Sequence, residues 1–226
     1  MLKAQKLKKI FLFFLFSAVL FSTLLMAKKK TFAAVIPQDR LSSLIWFGDS
    51  RTVRFGKAVY GYKSKGYPPT IIKKHIIAKA STTLSWARGT GYRKLSKRLK
   101  KRPDSTVIFN FGVNDIGRGQ NHRAGYLSLI KKIHSRFPRA RLCFMSVNPV
   151  RASSRNPYAK SGSRAAGVNR RIASFNSYIS SHLPKGCIYI NTNRHVHFSY
   201  LDGLHYTKAT YRRISFYVTG RKKLKK

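Results

Sequence analysis

Short apolar runs alternate with segments of helical periodicity along most of the chain, and this alternation most constrains its fold. Five uncharged runs predict strands at 44–47, 75–78, 106–111, 142–147 and 187–190. Apolar residues at helical spacing predict helices at 92–99, 126–137, 168–179 and 211–218. Apolar strands separated by amphipathic helices are typical of a parallel sheet covered on both faces. Right-handed crossovers then favour a three-layer α/β/α sandwich with a central, mostly parallel five-stranded sheet.

The first 34 residues have the composition of a targeting segment. Lysines at positions 3, 6, 8 and 9 precede an uncharged apolar run over 10–26, which is the order found in secretory signals. The run is just long enough to span a bilayer, so a retained anchor is an alternative. We therefore expect 1–34 to be a signal peptide or N-terminal membrane anchor. Residues 35–226 would then form one exported domain, extracellular or held at the cell surface.

The charge of the chain is strongly one-sided. Forty-seven Lys and Arg residues face five Asp and no Glu, so the formal net charge is +42. Residues 1–34 contain seven lysines and no acid, and the remainder therefore keeps +35. Few of these cations can find an acidic partner, so most must be solvated or bound to polyanions. Teichoic-type polymers, anionic lipid and nucleic acid are the candidate partners, and export argues against nucleic acid as the physiological one.

Three of the five acidic residues follow predicted strands. Asp49 follows the first strand, Asp115 the third, and Asp202 lies beyond the fifth. In sheets of this kind, ligands bind outside the carboxyl ends of the strands. The placement of these rare acids therefore predicts a functional site at that edge of the sheet.

Two strand ends carry residues suited to acyl-transfer chemistry. Ser50 stands on the tight turn after the first strand, where a serine can be an exposed nucleophile. Asn114 follows the third strand, and its amide can donate to an oxygen that becomes negative in the transition state, an interaction that lowers the barrier by about 3–4 kcal/mol. Taken separately, each segment is also consistent with an ordinary turn or helix cap.

An aspartate and a histidine stand three residues apart near the end of the chain. Asp202 and His205 would share one face of a helical turn, so the carboxylate could orient the imidazole. The opposite ring nitrogen could then act as a general base near neutral pH. A capping loop before the last helix is the alternative interpretation.

Together these segments resemble the SGNH hydrolase family, also called the GDSL lipase/esterase family, over about residues 41–220. The first block is Gly48-Asp49-Ser50, followed by Arg51 where many members carry Leu. The third block runs from Gly112 through Asn114 to Asp115, and the last from Asp202 to His205. The sequence resembles the exported members from Gram-positive bacteria more than the plant lipases.

The resemblance implies a hydrolase of esters, thioesters or O-acyl groups that needs no cofactor or metal. Ser50 would attack, His205 would act as base and then acid, and Asp202 would orient His205. Gly48, Asp49, Gly112 and Asp115 would support the site. The oxyanion hole would combine the Ser50 N–H, the Asn114 side chain and a glycine N–H from the second block. That glycine is missing here: Ser81 is the first candidate to replace it and Ala80 the next, although a Cβ could obstruct the backbone conformation that glycine permits.

The sequence leaves the substrate open. Carbohydrate O-acetyl esters, peptidoglycan O-acetyl groups and lipid acyl esters all fit the resemblance, and the segments 53–70 and 151–164 are expected to shape the pocket. One alternative is a metal site built from His195 and His197 with Asp202 and His205. A second is a catalytically weak or inactive SGNH-fold protein that binds anionic envelope polymers or nucleic acid through its basic surface.

Overall fold

A computed structural model describes residues 34–226, which form one compact unit. A single six-stranded sheet in the order β2-β3-β1-β4-β5-β6 crosses this unit, and every pairing is parallel except that of β2 with β3. The strands are β1 (Leu44–Gly48), β2 (Thr70–Lys73), β3 (Ile76–Lys79), β4 (Thr106–Asn110), β5 (Arg141–Met145) and β6 (Ile188–Ile190).

Helices cover both faces of the sheet. They are α1 (Ser50–Tyr60), α2 (Leu84–Trp86), α3 (Tyr92–Lys101), α4 (Val113–Gly117), α5 (Arg123–Arg136), α6 (Gly162–His182) and α7 (Lys208–Thr219). Apolar residues of α1 and α7 pack on one face, and those of α3, α5 and α6 pack on the other. Each strand from β1 to β5 except β2 is largely buried, because it is covered from both sides. The predicted three-layer α/β/α sandwich is therefore confirmed.

The sheet has six strands rather than the five predicted. The additional strand β2 lies at the edge, antiparallel to β3, with Ile71 opposite Ala78 and Ile72 opposite Ile77. Of its four residues only Ile71 is buried. A half-exposed edge strand of this length has no sustained apolar run, and the sequence pattern therefore did not reveal it.

The strand order brings two strand ends together at the centre of the sheet. β1 lies between β3 and β4. After β1 the chain adds β2 and β3 on one side of it, and it then crosses over to add β4, β5 and β6 on the other side. The carboxyl ends of strands at such a reversal point border a crevice in which ligands bind. Ser50 follows β1 and Asn114 follows β4, and both therefore reach this crevice.

None of the helices within residues 34–226 is long and apolar enough to cross a membrane. The targeting segment predicted for residues 1–34 lies outside the described residues, apart from its last position.

Candidate active site

Ser50 is the first residue of α1, directly after the turn that leaves β1. The turn is tight: a Cβ on Gly48 would lie 2.5 Å from the carbonyl oxygen of Asn110, so only glycine fits. The buried carboxylate of Asp49 accepts a hydrogen bond from the Arg51 N–H at 2.9 Å and caps the helix. Burial raises the pKa of Asp49 to about 7, against the opposing effect of Arg51. This local structure holds the Ser50 side chain at the mouth of the crevice.

Asp202, His205 and Ser50 form a continuous hydrogen-bonded chain. Asp202 Oδ2 lies 2.8 Å from His205 Nδ1, and His205 Nε2 lies 2.9 Å from Ser50 Oγ. With Nδ1 donating to the carboxylate, Nε2 is left to accept the proton of the serine hydroxyl. The geometry is that of a nucleophile, a base and a group that orients the base.

The helical turn predicted for Asp202 and His205 is not formed. The two residues lie instead in the loop before α7. Asp202 Oδ1 accepts the backbone N–H groups of Leu204 at 3.0 Å and His205 at 2.6 Å. Gly203 has a φ of 81°, which lets the chain turn tightly between the two residues. The aspartate therefore positions the histidine through its backbone as well as its ring.

Burial and charge set the protonation state of this pair. Burial lowers the pKa of His205, and the positive charges of Arg54 and Arg51 lower it further, against the effect of Asp202. Burial alone would raise the pKa of Asp202, but the hydrogen bonds from His205 outweigh it and the net shift is downward. Near neutral pH the histidine is therefore neutral and the aspartate ionised.

Asn114 is held by two hydrogen bonds at the start of α4. Its Nδ2 donates to the carbonyl of Thr82 at 2.7 Å, and its Oδ1 accepts from the Tyr158 hydroxyl at 3.1 Å. An amide nitrogen carries two protons, so one remains for the cavity that Asn114 lines. Gly112 before it has a φ of 117°, and a Cβ there would lie 2.9 Å from Val147.

Ser81, the first candidate to replace the missing glycine, adopts a left-handed backbone conformation of the kind that glycine favours. Its φ is 58°, in the left-handed region, and it is the sole non-glycine residue with positive φ within 34–226. The Ala80 N–H donates to the Pro69 carbonyl at 2.9 Å, so the second candidate, Ala80, has already engaged its N–H within the protein. Within the described chain, the N–H groups of Ser50 and Ser81 have no protein acceptor, and both residues line the cavity. The Cβ of Ser81 has therefore not prevented the turn.

Asp115 is fully buried, and its contacts hold together the chain segments that border the site. Its carboxylate accepts from the Leu84 N–H at 3.3 Å, from the Tyr126 hydroxyl at 2.7 Å, and contacts His122 Nδ1 at 2.7 Å. These contacts connect the end of β4 to α2 and α5. Asp115 thereby fixes the loop 81–83 relative to Asn114.

Arg51 is the residue whose role sequence analysis missed. Its side chain is buried, stacks 4.7 Å from the Tyr206 ring centroid, and donates to the carbonyls of Asn148, Pro149 and Leu204 at 2.7–3.1 Å. It therefore ties α1 to the loops after β5 and before α7. The single signal for it was the replacement of the usual leucine by an arginine.

A cavity of about 470 Å³ opens over Ser50. The segment 53–70 lines the cavity with Val53, Arg54, Lys57, Tyr67 and Pro69. The loop 151–164 lines it with Arg155, Pro157 and Tyr158. Both segments therefore shape the pocket, as expected.

The alternative metal site is not assembled. Within residues 34–226, no three His, Cys, Asp or Glu side chains are grouped so that they could hold a metal ion. His195 instead stacks on Tyr217, with ring centroids 4.7 Å apart.

A doubly wound sheet with a serine after its first strand and an Asp–His pair after its last defines the class of SGNH-type hydrolases. The sequence profile of the GDSL-like lipase/acylhydrolase family matches residues 46–213, which is most of the chain. The chain therefore belongs to this family and is a hydrolase of ester bonds.

Solved structures agree on the fold at low sequence identity. The C-terminal domain of Drosophila Oskar superposes with a TM-score of 0.56 and 16% identity, covering 87% of this chain and 98% of that one. A protein from Agrobacterium tumefaciens, provisionally described as an arylesterase, superposes with a TM-score of 0.53 and 19% identity, covering 78% of this chain and 96% of that one. The acetyl xylan esterase AlAXEase superposes with a TM-score of 0.51 and 12% identity, covering 78% of this chain and 98% of that one. A search of curated protein sequences finds no significant match.

Proposed function

We propose that this protein is an exported serine esterase with Ser50, His205 and Asp202 as its catalytic triad. The observation that carries the proposal is the hydrogen-bonded chain from Asp202 through His205 to Ser50, with hydrogen-bond lengths of 2.8 and 2.9 Å. It ends beside the N–H groups of Ser50 and Ser81 and the amide of Asn114, which would form the oxyanion hole.

In the proposed reaction, His205 Nε2 takes the proton of the Ser50 hydroxyl as Oγ attacks the ester carbonyl. The carbonyl oxygen becomes negative and accepts hydrogen bonds from Ser50, Ser81 and Asn114. The C–O bond to the alcohol then breaks, and His205 returns its proton to the departing oxygen. Water, activated by the same histidine, hydrolyses the acyl-Ser50 intermediate and releases the acid.

Acetyl or other short acyl groups on carbohydrate or cell-envelope esters are the proposed substrates. The cavity of about 470 Å³ has room for a short acyl group together with part of the sugar or other alcohol that carries it. One structural neighbour is an acetyl xylan esterase, which favours a polysaccharide substrate. The basic run 1–9, the apolar run 10–26 and the charge of +35 on the remainder support export to an anionic envelope, in the manner of Gram-positive proteins.

The test is hydrolysis of p-nitrophenyl acetate, butyrate and longer esters by the full-length chain in a non-ionic detergent. We expect the acetate to be the best substrate and Ser50→Ala to abolish turnover. Ser128→Ala, an exposed serine on α5, is the matched control and should retain full activity. Turnover that persists in Ser50→Ala would overturn the proposed mechanism.

A second candidate function is binding of anionic polymers without catalysis. Within residues 34–226, three arginines and no lysine lie within 4 Å of an aspartate oxygen, so nearly all the positive charge is uncompensated. The exposed face of α3, with Lys94, Lys97 and Lys100, is typical of this surface. Retention on a polyphosphate resin that weakens steeply with salt, in a folded protein with no esterase activity, would favour this candidate.

A further inference from the structure

The cavity over Ser50 carries positive charge beyond what the triad needs. Ser50, Arg54 and Lys57 follow one another along α1 at spacings of four and three residues, which places them on one face of the helix. At the rise of an α-helix, Arg54 lies about 6 Å and Lys57 about 10 Å along the axis from Ser50. All three residues line the cavity, and Arg155 faces it from the loop 151–164.

Arg155 donates to the carbonyl of Leu201 at 2.9 Å, whereas Arg54 and Lys57 make no close contact with an acidic group of the described residues. Among residues 34–226, Asp202 supplies the one carboxylate that lines the cavity, and it is already engaged by His205. Arg54 Nη2 lies 3.9 Å from Asp202 Oδ2, which is beyond hydrogen-bonding distance, and the Arg54 side chain is 40% exposed. Lys57 is exposed and forms no ion pair with a described residue. The donors of Arg54 and Lys57 are therefore available to a ligand.

Their position relative to the triad identifies the part of the substrate that they would meet. The departing alcohol must reach His205 Nε2, because that nitrogen returns the proton. Arg54 and Lys57 line the cavity one and two helical turns along α1 from Ser50. Because the proposed acyl group is short, an anion that reaches these two side chains from an ester held at Ser50 must belong to the alcohol portion.

We propose, on the basis of the proposed function, that the natural substrate carries an anionic group on its alcohol portion. A carboxylate or phosphate on the sugar or polyol that carries the ester would contact Arg54 and Lys57. This describes a small acyl group on an acidic glycan or polyol phosphate, rather than a neutral xylan or a simple lipid ester. Arginine and lysine are the side chains that recognise such anions.

A matched pair of substrates tests the proposal. Methyl 3-O-acetyl-glucopyranosiduronate carries the carboxylate, and its uronamide has the same shape without the charge. We expect the full-length protein, in non-ionic detergent at low salt, to release acetate from the uronate with a kcat/KM at least tenfold higher than from the uronamide. The ratio should fall toward one as salt screens the charges.

Three variants locate the effect. Arg54→Gln and Lys57→Gln should each reduce the uronate-to-uronamide ratio several-fold, and taking a ratio cancels any change common to both substrates. Lys100→Gln is the control, because Lys100 is exposed in the last turn of α3 and precedes the amino-terminal end of β4, whereas the cavity lies at the carboxyl ends of the strands. A ratio near one in the unaltered protein, or one that responds equally to all three variants, would overturn the proposal.

Failure of the esterase proposal is distinguishable from failure of this one. If neither sugar ester nor p-nitrophenyl acetate is hydrolysed, the proposed function fails, and binding of methyl glucuronate to Ser50→Ala decides the anion site by calorimetry. Salt-sensitive binding that is lost on Lys57→Gln supports the site, and equal binding of the uronate and the uronamide excludes it.

Discussion

The guanidinium of Arg51 donates two hydrogen bonds, at 3.1 and 2.9 Å, to the carbonyl oxygen of Leu204, the residue immediately before His205. Arg51 directly follows Ser50, so one side chain connects the two chain segments that the proposed triad must bring together. It also donates to Asn148 and Pro149 in the loop after β5. We infer that Arg51 is a positioning residue for His205.

Substituting Arg51 should lower both stability and turnover. Arg51→Lys keeps the charge, but a single ammonium cannot donate to three carbonyls in the planar geometry of a guanidinium. Because buried acceptors would lose their donors, we expect the free energy of unfolding to fall by about 3 kcal/mol, with kcat reduced more than KM changes. Urea unfolding and ester kinetics measure both. Arg170→Lys, at an exposed position of α6, should change the free energy of unfolding by less than about 0.5 kcal/mol.

Removing the Asn114 amide should slow turnover without weakening substrate binding. Asn114→Ala removes a donor to the developing oxyanion, so kcat should fall roughly 10²–10³-fold with little change in KM. Tyr158→Phe removes the hydroxyl that fixes this amide, and kcat should fall roughly fivefold. The hydroxyl of Tyr178 lies outside the cavity, and Tyr178→Phe should therefore retain the kcat of the unaltered protein. An unchanged kcat in Asn114→Ala would remove Asn114 from the oxyanion hole.

Ser81 offers a test of the left-handed turn. A serine at φ 58° is strained, and glycine relieves the strain at some entropic cost. Ser81→Gly should therefore raise the free energy of unfolding by about 1 kcal/mol, whereas Ser81→Ala keeps the Cβ and should leave it unchanged. Both variants keep the backbone N–H, so kcat should stay within a few-fold. A tenfold loss in Ser81→Ala would show that the hydroxyl, rather than the N–H, takes part.

The pH dependence of kcat/KM should report the charge of Arg54. Activity requires neutral His205, whose lowered pKa places the acidic limb of the profile below its ordinary position near pH 6.5. Arg54→Gln removes a positive charge that disfavours the imidazolium, so the pKa rises and the limb moves to higher pH. Profiles recorded with p-nitrophenyl acetate measure this shift, with Lys100→Gln as the control. Movement of the limb to lower pH would contradict the assignment.

Much of the fold was predictable because its elements are continuous in sequence. Strands buried on both faces appear in the sequence as apolar runs, as in 44–47 and 106–111. The helices between them appear as apolar residues that recur about every 3.6 positions. The edge strand β2 leaves neither signal, since it is short and half exposed. The proposed helical turn at Asp202 was wrong because hydrogen bonds to the Asp202 side chain, rather than a backbone ladder, form that loop.

The sequence alone determined the layered sheet, the family blocks and the candidates Ser50, Asn114, Asp202 and His205, since each depends on local spacing or on residue type at a strand end. Tertiary structure decided the rest. It engaged the Ala80 N–H with the Pro69 carbonyl and left the Ser81 N–H without an acceptor among the described residues, and it buried Arg51 against Leu204. It also placed Arg155 and Tyr158 of the loop 151–164 at the cavity that Arg54 and Lys57 line. Such contacts join residues distant in the chain, and their energies depend on distance and burial, which no local pattern encodes.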